Sequence, residues 1–150
     1  MDHVTLAADL FLEGYNCAQA VVVAFADMTG MDQKAAAKMA APFGGGMGRM
    51  REVCGAVSGM FMVLGALYGY DNSDAGSKKK ELYQQVQALA EQFRAENGSI
   101  ICRDILKNPP SDPNPSPRTA EYYAKRPCAK MVMTAAKLMD DFIAGHPLED

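Results

Sequence analysis

A chain of 150 residues, about half of them hydrophobic, can bury one core without disulfide staples. A formal net charge of −3 supplies no broad positive field, which argues against nucleic acid or an anionic membrane as partner. The opening MDHVTLAADLFLEG carries acidic groups where an export signal needs a basic start, so the expectation is a cytoplasmic protein with reduced cysteines.

Apolar residues recur at helical spacing through most of the chain, and the alternating Val, Ile and Thr runs of strands are missing. The pattern predicts an all-α, single-domain bundle of about six helices over residues 1–150. The first helix covers Val4 to Glu13. A second starts after Asn16, an N-cap residue, carries Cys17, Ala20, Val21, Ala24, Phe25 and Met28 on one stripe, and stops at Gly30. Asp32 caps a third through Ala41, after which Pro42 and FGGGMG break the chain into an irregular loop.

Val53 to Tyr70 contains no charge, which is close to the length of a membrane span. Four of its residues are glycine, and a central helix packed on all sides explains the run better than a span does. Gly55 and Gly59, then Gly65 and Gly69, each lie one turn apart and are expected to let neighbouring backbones approach. Ser73 or Ser77 would cap a fifth helix with Leu82, Val86, Leu89 and Phe93 on one face, ending at Asn97-Gly98. Ser99 would cap a short sixth helix, IICRDILK. NPPSDPNPSPR, with five prolines in eleven residues, is then read as an extended strap across the bundle. Pro127 suits the first position of a final helix bearing Cys128, Met131, Ala135, Leu138 and Phe142, and the tail after Gly145 is read as frayed.

Cys17, Cys54, Cys102 and Cys128 all fall in the predicted first turn of a helix, where unpaired amides and the helix dipole favour a thiolate. Arg49 and Arg51 precede Cys54, Arg103 adjoins Cys102, and Lys125 with Arg126 precedes Cys128. The expectation is therefore one site with depressed thiol pKa values, with the glycine loop bringing the helix starts together. GGGMGR lacks the Gly-Lys-Ser/Thr ending of a phosphate-binding loop. There is no CxxC pair, so spacing leaves metal and disulfide chemistry equally open. His3 and His146 read as solvated, Met47, Met50, Met60 and Met62 as core filling, Tyr15, Tyr122 and Tyr123 as cover for the site, and Lys78 to Lys80 as a solvated face.

GYNCAQAV at Gly14 to Val21, CGAVSG at Cys54 to Gly59, and the lone cysteines of SIICRDI and RPCAKMV resemble the redox-active family named for the pattern C_GCAxxG_C_C. All four cysteines have counterparts in that pattern. The resemblance implies a small helical protein suspected of redox activity, often encoded near transporter genes, with Gly55, Ala56, Ser58 and Gly59 as the packing part of the motif.

Three functions remain open from the sequence. In the first, the four cysteines are catalytic thiols that cycle between dithiol and disulfide against an unknown redox partner, with Cys54 as attacker. In the second, the same four hold a metal ion or an iron–sulfur cluster. In the third, the chain is a structural or interaction protein, a homodimer docking a transporter, with cysteines only as core.

Overall fold

The computed structural model describes residues 2–148, and the regular elements in that range are helices. The first, α1 (His3–Leu12), starts on Asp2, whose carboxylate accepts the Thr5 amide at 2.7 Å. The second, α2 (Cys17–Ala24), opens with a reciprocal capping box: Asn16 Oδ1 accepts the Gln19 amide and Gln19 Oε1 accepts the Asn16 amide. The single helix expected from Asn16 to Gly30 breaks at Phe25, and a short α3 (Ala26–Thr29) carries the chain to a left-handed Gly30. The break turns the Phe25 ring fully inward, where it stacks on His3 with centroids 4.1 Å apart.

Asp32 caps α4 (Gln33–Ala40) as expected, and the chain then tightens into a 3-10 turn over Ala41–Phe43 around Pro42. After the glycine loop comes the central α5 (Gly55–Tyr68), with Cys54 at its cap position. Neither Ser73 nor Ser77 caps the long α6 (Ser77–Asn97). Gly76 occupies that position at φ 56, and Ser77 is already helical. Ser99 likewise does not cap α7 (Cys102–Ile105); its hydroxyl accepts the Ile101 amide, which brings Cys102 to the first helical position. A helix that the periodicity did not predict, α8 (Ala120–Lys125), starts on Thr119. Pro127 stands at the cap of α9 (Cys128–Gly145) rather than inside it. The chain runs irregularly from His146 to Leu148, and the last two residues of the tail lie outside the described range.

Helix α5 is buried between α2 and α9; α1 covers α9 and α2, α4 covers α2, and α6 leans on α9 and α5. Phe11, Phe25, Met60, Leu64, Phe93 and Met139 fill the interior. The glycine pairs on α5 divide. A Cβ at Gly59 would lie 2.9 Å from the Ala18 carbonyl oxygen and 3.1 Å from Val21 Cβ, so α2 and α5 touch backbone to backbone there. At Gly65 nothing lies within 4 Å, and the position is exposed, so the second pair makes no such approach. Among the described residues no helix is long and apolar enough to cross a membrane.

His3 is not a solvated side chain. Its Nδ1 lies 2.6 Å from Asp140 Oδ1 and its Nε2 2.9 Å from Asp27 Oδ1, which joins α1, α3 and α9. Both ring nitrogens meet carboxylates, an arrangement that favours the imidazolium, the form that donates from both. Burial opposes that charge, but the hydrogen bonds to Asp27 and Asp140 outweigh it and raise the His3 pKa. His146 stacks on Phe142 at 3.9 Å. Of the methionines flanking the loop, Met60 is core, whereas Met50 points to solvent.

Candidate functional site

The four cysteines meet. Cys17 is the first residue of α2, Cys102 of α7 and Cys128 of α9, and Cys54 is the cap residue of α5. All four are buried, free of disulfides, and line one cavity of about 50 Å³. That volume holds water or the sulfur end of a small molecule, not a whole substrate.

Backbone pairing explains how segments so far apart in sequence converge. Val53 and Ile101 form an antiparallel bridge; the Cys54 amide donates to the Ile100 carbonyl at 2.8 Å and the Cys102 amide to the Glu52 carbonyl at 2.7 Å. The glycine loop folds under this bridge, with the Glu52 amide donating to the Gly46 carbonyl at 2.8 Å. Gly46 has φ 71, and a Cβ there would fall 2.6 Å from Cys102 Cβ and 2.8 Å from Arg51 Cα. Only glycine fits a left-handed position pressed against the cysteine and its neighbouring backbone. Cys17 reaches the cavity because Gly55 and Gly59 let α2 lie directly on α5.

The thiols are not equivalent. Cys17 and Cys128 line the same cavity. The interaction with Cys128 and burial together push the Cys17 thiol well above the usual range. The interaction with Cys17 in turn pulls Cys128 down; burial opposes it, and the Arg126, Arg118 and Arg51 cations add to the lowering. Of the two, Cys128 is the thiol whose ionisation its surroundings favour. Cys54 departs from the sequence expectation of a depressed pKa. Burial pushes it up to about 12, against the opposing pull of the Ala56 and Val57 amides. Burial also raises Cys102, although Arg51 Nη1 donates to its sulfur at 3.7 Å.

The basic residues singled out in the sequence sort differently in space. Arg51 is 3% exposed, at φ 62, and its Nε donates to the Pro110 carbonyl at 2.9 Å. Its Nη2 is buried without a partner among the described residues. Arg49 binds the strap through the Asp112 carbonyl and the Ser116 hydroxyl. Arg126 lies over the Tyr122 ring, 5.1 Å from its centroid, and lines the cavity. Arg103 and Lys125 turn away to Glu52 and Glu121. The proline-rich segment is the expected extended strap, tied down by Arg49 and Arg51.

Arg118 is the residue that the sequence reading missed. It donates to the carbonyls of Phe11 and Tyr15, packs its guanidinium 4.6 Å from the Phe11 centroid and 5.0 Å from that of Tyr122, and lines the cavity. The one available signal was its place as the first charge after the last proline of the strap. Of the three tyrosines expected to cover the site, Tyr122 lines the cavity. Tyr123 packs edge-on against Phe11 at 5.8 Å, and Tyr15 contributes its carbonyl.

The family model described as "Putative redox-active protein (C_GCAxxG_C_C)" matches residues 15–142, most of the chain and all four cysteines. The chain belongs to this family. No curated protein and no solved structure gave a match.

Metal ligation makes a geometric demand of the same residues. Among the described residues, no three His, Cys, Asp or Glu side chains gather closely enough to hold a metal ion. The side chains as they stand form no ready metal-ion site among the described residues.

Proposed function

We propose that this family member is a thiol–disulfide redox protein in which Cys128 attacks and Cys17 resolves. The observation that carries the reading is that Cys17 and Cys128 line one chamber bordered by Arg51, Arg118 and Arg126. The Cys128 thiolate attacks one sulfur of a disulfide R–S–S–R, the S–S bond breaks, and one RS⁻ leaves. Cys17 then gives up its proton and attacks the Cys128 sulfur of the mixed disulfide; a Cys17–Cys128 bond forms and the second RS⁻ leaves. Two electrons pass from the protein to the disulfide, and the Cys17 proton goes to a departing thiolate. In reverse the oxidised pair accepts electrons from a dithiol. Cys54 and Cys102 line the same chamber as protonated thiols and make up the rest of the family's four-cysteine set.

The test is disulfide mapping after mild oxidation, with pH-dependent alkylation of the reduced protein. The reading expects a Cys17–Cys128 disulfide, first alkylation at Cys128, and no oxidation cycle in Cys128→Ser. A cycle that persists in Cys128→Ser, or that is lost only in Cys54→Ser, overturns the assignment. Protein isolated without oxygen or chelator that carries stoichiometric metal and protected thiols would place the cysteines in a coordination site instead.

A further inference from the structure

Beside the thiol chamber lies a second, more open cavity of about 280 Å³. The two share Asn16, Gly45, Arg51, Arg118, Tyr122 and Arg126, so one opens beside the other. The outer cavity is walled by the glycine loop on one side and by Pro113, Pro115 and Ser116 of the strap on the other. Four arginines line it, Arg49, Arg51, Arg118 and Arg126, and none of its lining residues is acidic. Among the described residues, Arg49 alone of the four has a carboxylate within ion-pair distance, that of Asp112 at 3.9 Å.

These cations are not all occupied. The Arg118 guanidinium is taken up by backbone carbonyls and by Tyr123, and Arg51 Nε and Nη1 by the strap and by Cys102. Arg51 Nη2, by contrast, is buried and has no partner among the described residues, where the Arg126 guanidinium makes only its stacking contact with Tyr122. A buried N–H of a charged group without an acceptor is costly unless a ligand supplies one. No acidic residue among those lining the cavity balances these guanidinium groups.

We propose that the outer cavity binds the carboxylate of a small anionic thiol or disulfide between Arg51 and Arg126, holding its sulfur over the mouth of the thiol chamber. Guanidinium groups match carboxylate geometry and hold it with charge-assisted hydrogen bonds. The outer volume is at the small end of ligand pockets, which suits a compound of a few heavy atoms rather than a peptide chain. The inner chamber admits only its sulfur end. The exchange chemistry rests on the redox reading above; the anion site does not.

The experiment separates the two. Reduced protein is titrated calorimetrically with thiodiglycolate, a thioether dianion that cannot exchange, and is then reacted with three disulfides of similar size. These are dithiodiglycolate (anionic), 2-hydroxyethyl disulfide (neutral) and cystamine (cationic). The expected result is saturable thiodiglycolate binding weakened by salt, and oxidation by dithiodiglycolate faster than by cystamine by about tenfold or more at low salt. Arg126→Gln should collapse that ratio several-fold, and Arg126→Lys should restore most of it, which a merely structural role would not do. No thiodiglycolate binding by the folded protein, or equal rates for all three disulfides, overturns the anion site while leaving thiol exchange standing. Binding without reaction of any disulfide retains the anion site and removes the redox reading.

Discussion

Two glycines on one helix give a differential test of how the site is assembled. Gly59→Ala and Gly65→Ala are chemically the same change in the interior of α5, and both gain about 1 kcal/mol of helix propensity. That gain cancels in the comparison, so the difference reports tertiary packing alone. At Gly65 the new methyl meets nothing within 4 Å. At Gly59 it would sit 2.9 Å from the Ala18 carbonyl oxygen and 3.3 Å from Ala18 Cα, and backbone cannot rotate aside as a side chain can. Overpacking of this kind costs ~1–3 kcal/mol, which is then the expected gap between the two variants. Gly65→Ala should be as stable as the parent or more so, and Gly59→Ala less stable than Gly65→Ala by that gap. Urea unfolding followed by circular dichroism measures both under the same conditions. Ala18 follows Cys17, so pushing α2 off α5 should also change the alkylation rate of Cys17 in the native state. Equal stabilities within about 0.5 kcal/mol would refute the backbone contact between α2 and α5.

Alkaline titration should expose Cys54. Its thiol is held protonated to about 12 in the fold against an ordinary 9.0, so its contribution is intact below pH 9 and is lost as pH rises from there toward 12. Each pH unit of that window removes ~1.4 kcal/mol, and Cys54→Ala should flatten the decline relative to the parent. His3 has a raised pKa, so its stabilisation is fully present below about 6.5 and is lost as pH climbs through the folded value. His3→Gln should therefore cost most near pH 5–6, by ~1–2 kcal/mol, and least at pH 9, as read from thermal unfolding across that range. Arg51→Met removes the 2.9 Å bond to the Pro110 carbonyl and the contact to Cys102. It should make residues 109–118 cleavable in limited proteolysis and raise the Cys102 pKa further; an unchanged cleavage pattern would show that the strap is held by other contacts.

The sequence determined the helices and the cysteine positions because both depend on local physics. Asn16, Asp32, Gly30 and Gly98 cap and stop helices through their own side chains or φ values, and apolar stripes at helical spacing show wherever a helix has one buried face. Where the local signal was divided it misplaced boundaries: the serines before α6 and α7 are plausible caps, but Gly76 and Ile101 occupy those positions. The short α8 has too few turns to show a period.

What the tertiary structure decided was contact between residues far apart in the chain. Sequence adjacency nominated Cys54 because two arginines precede it, yet Arg51 at its left-handed position faces Cys102 and the strap, and burial leaves Cys54 the thiol. Cys128 instead has Cys17 beside it, from 111 residues away, with Arg118 brought back by carbonyls of α1 and of the turn after it. His3 looked solvated because Asp27 and Asp140 are remote in sequence and adjacent only once α1, α3 and α9 pack. Charge and burial act through space at a few ångströms, so which thiol is reactive is settled by packing, while where the thiols stand on their helices is settled by the sequence.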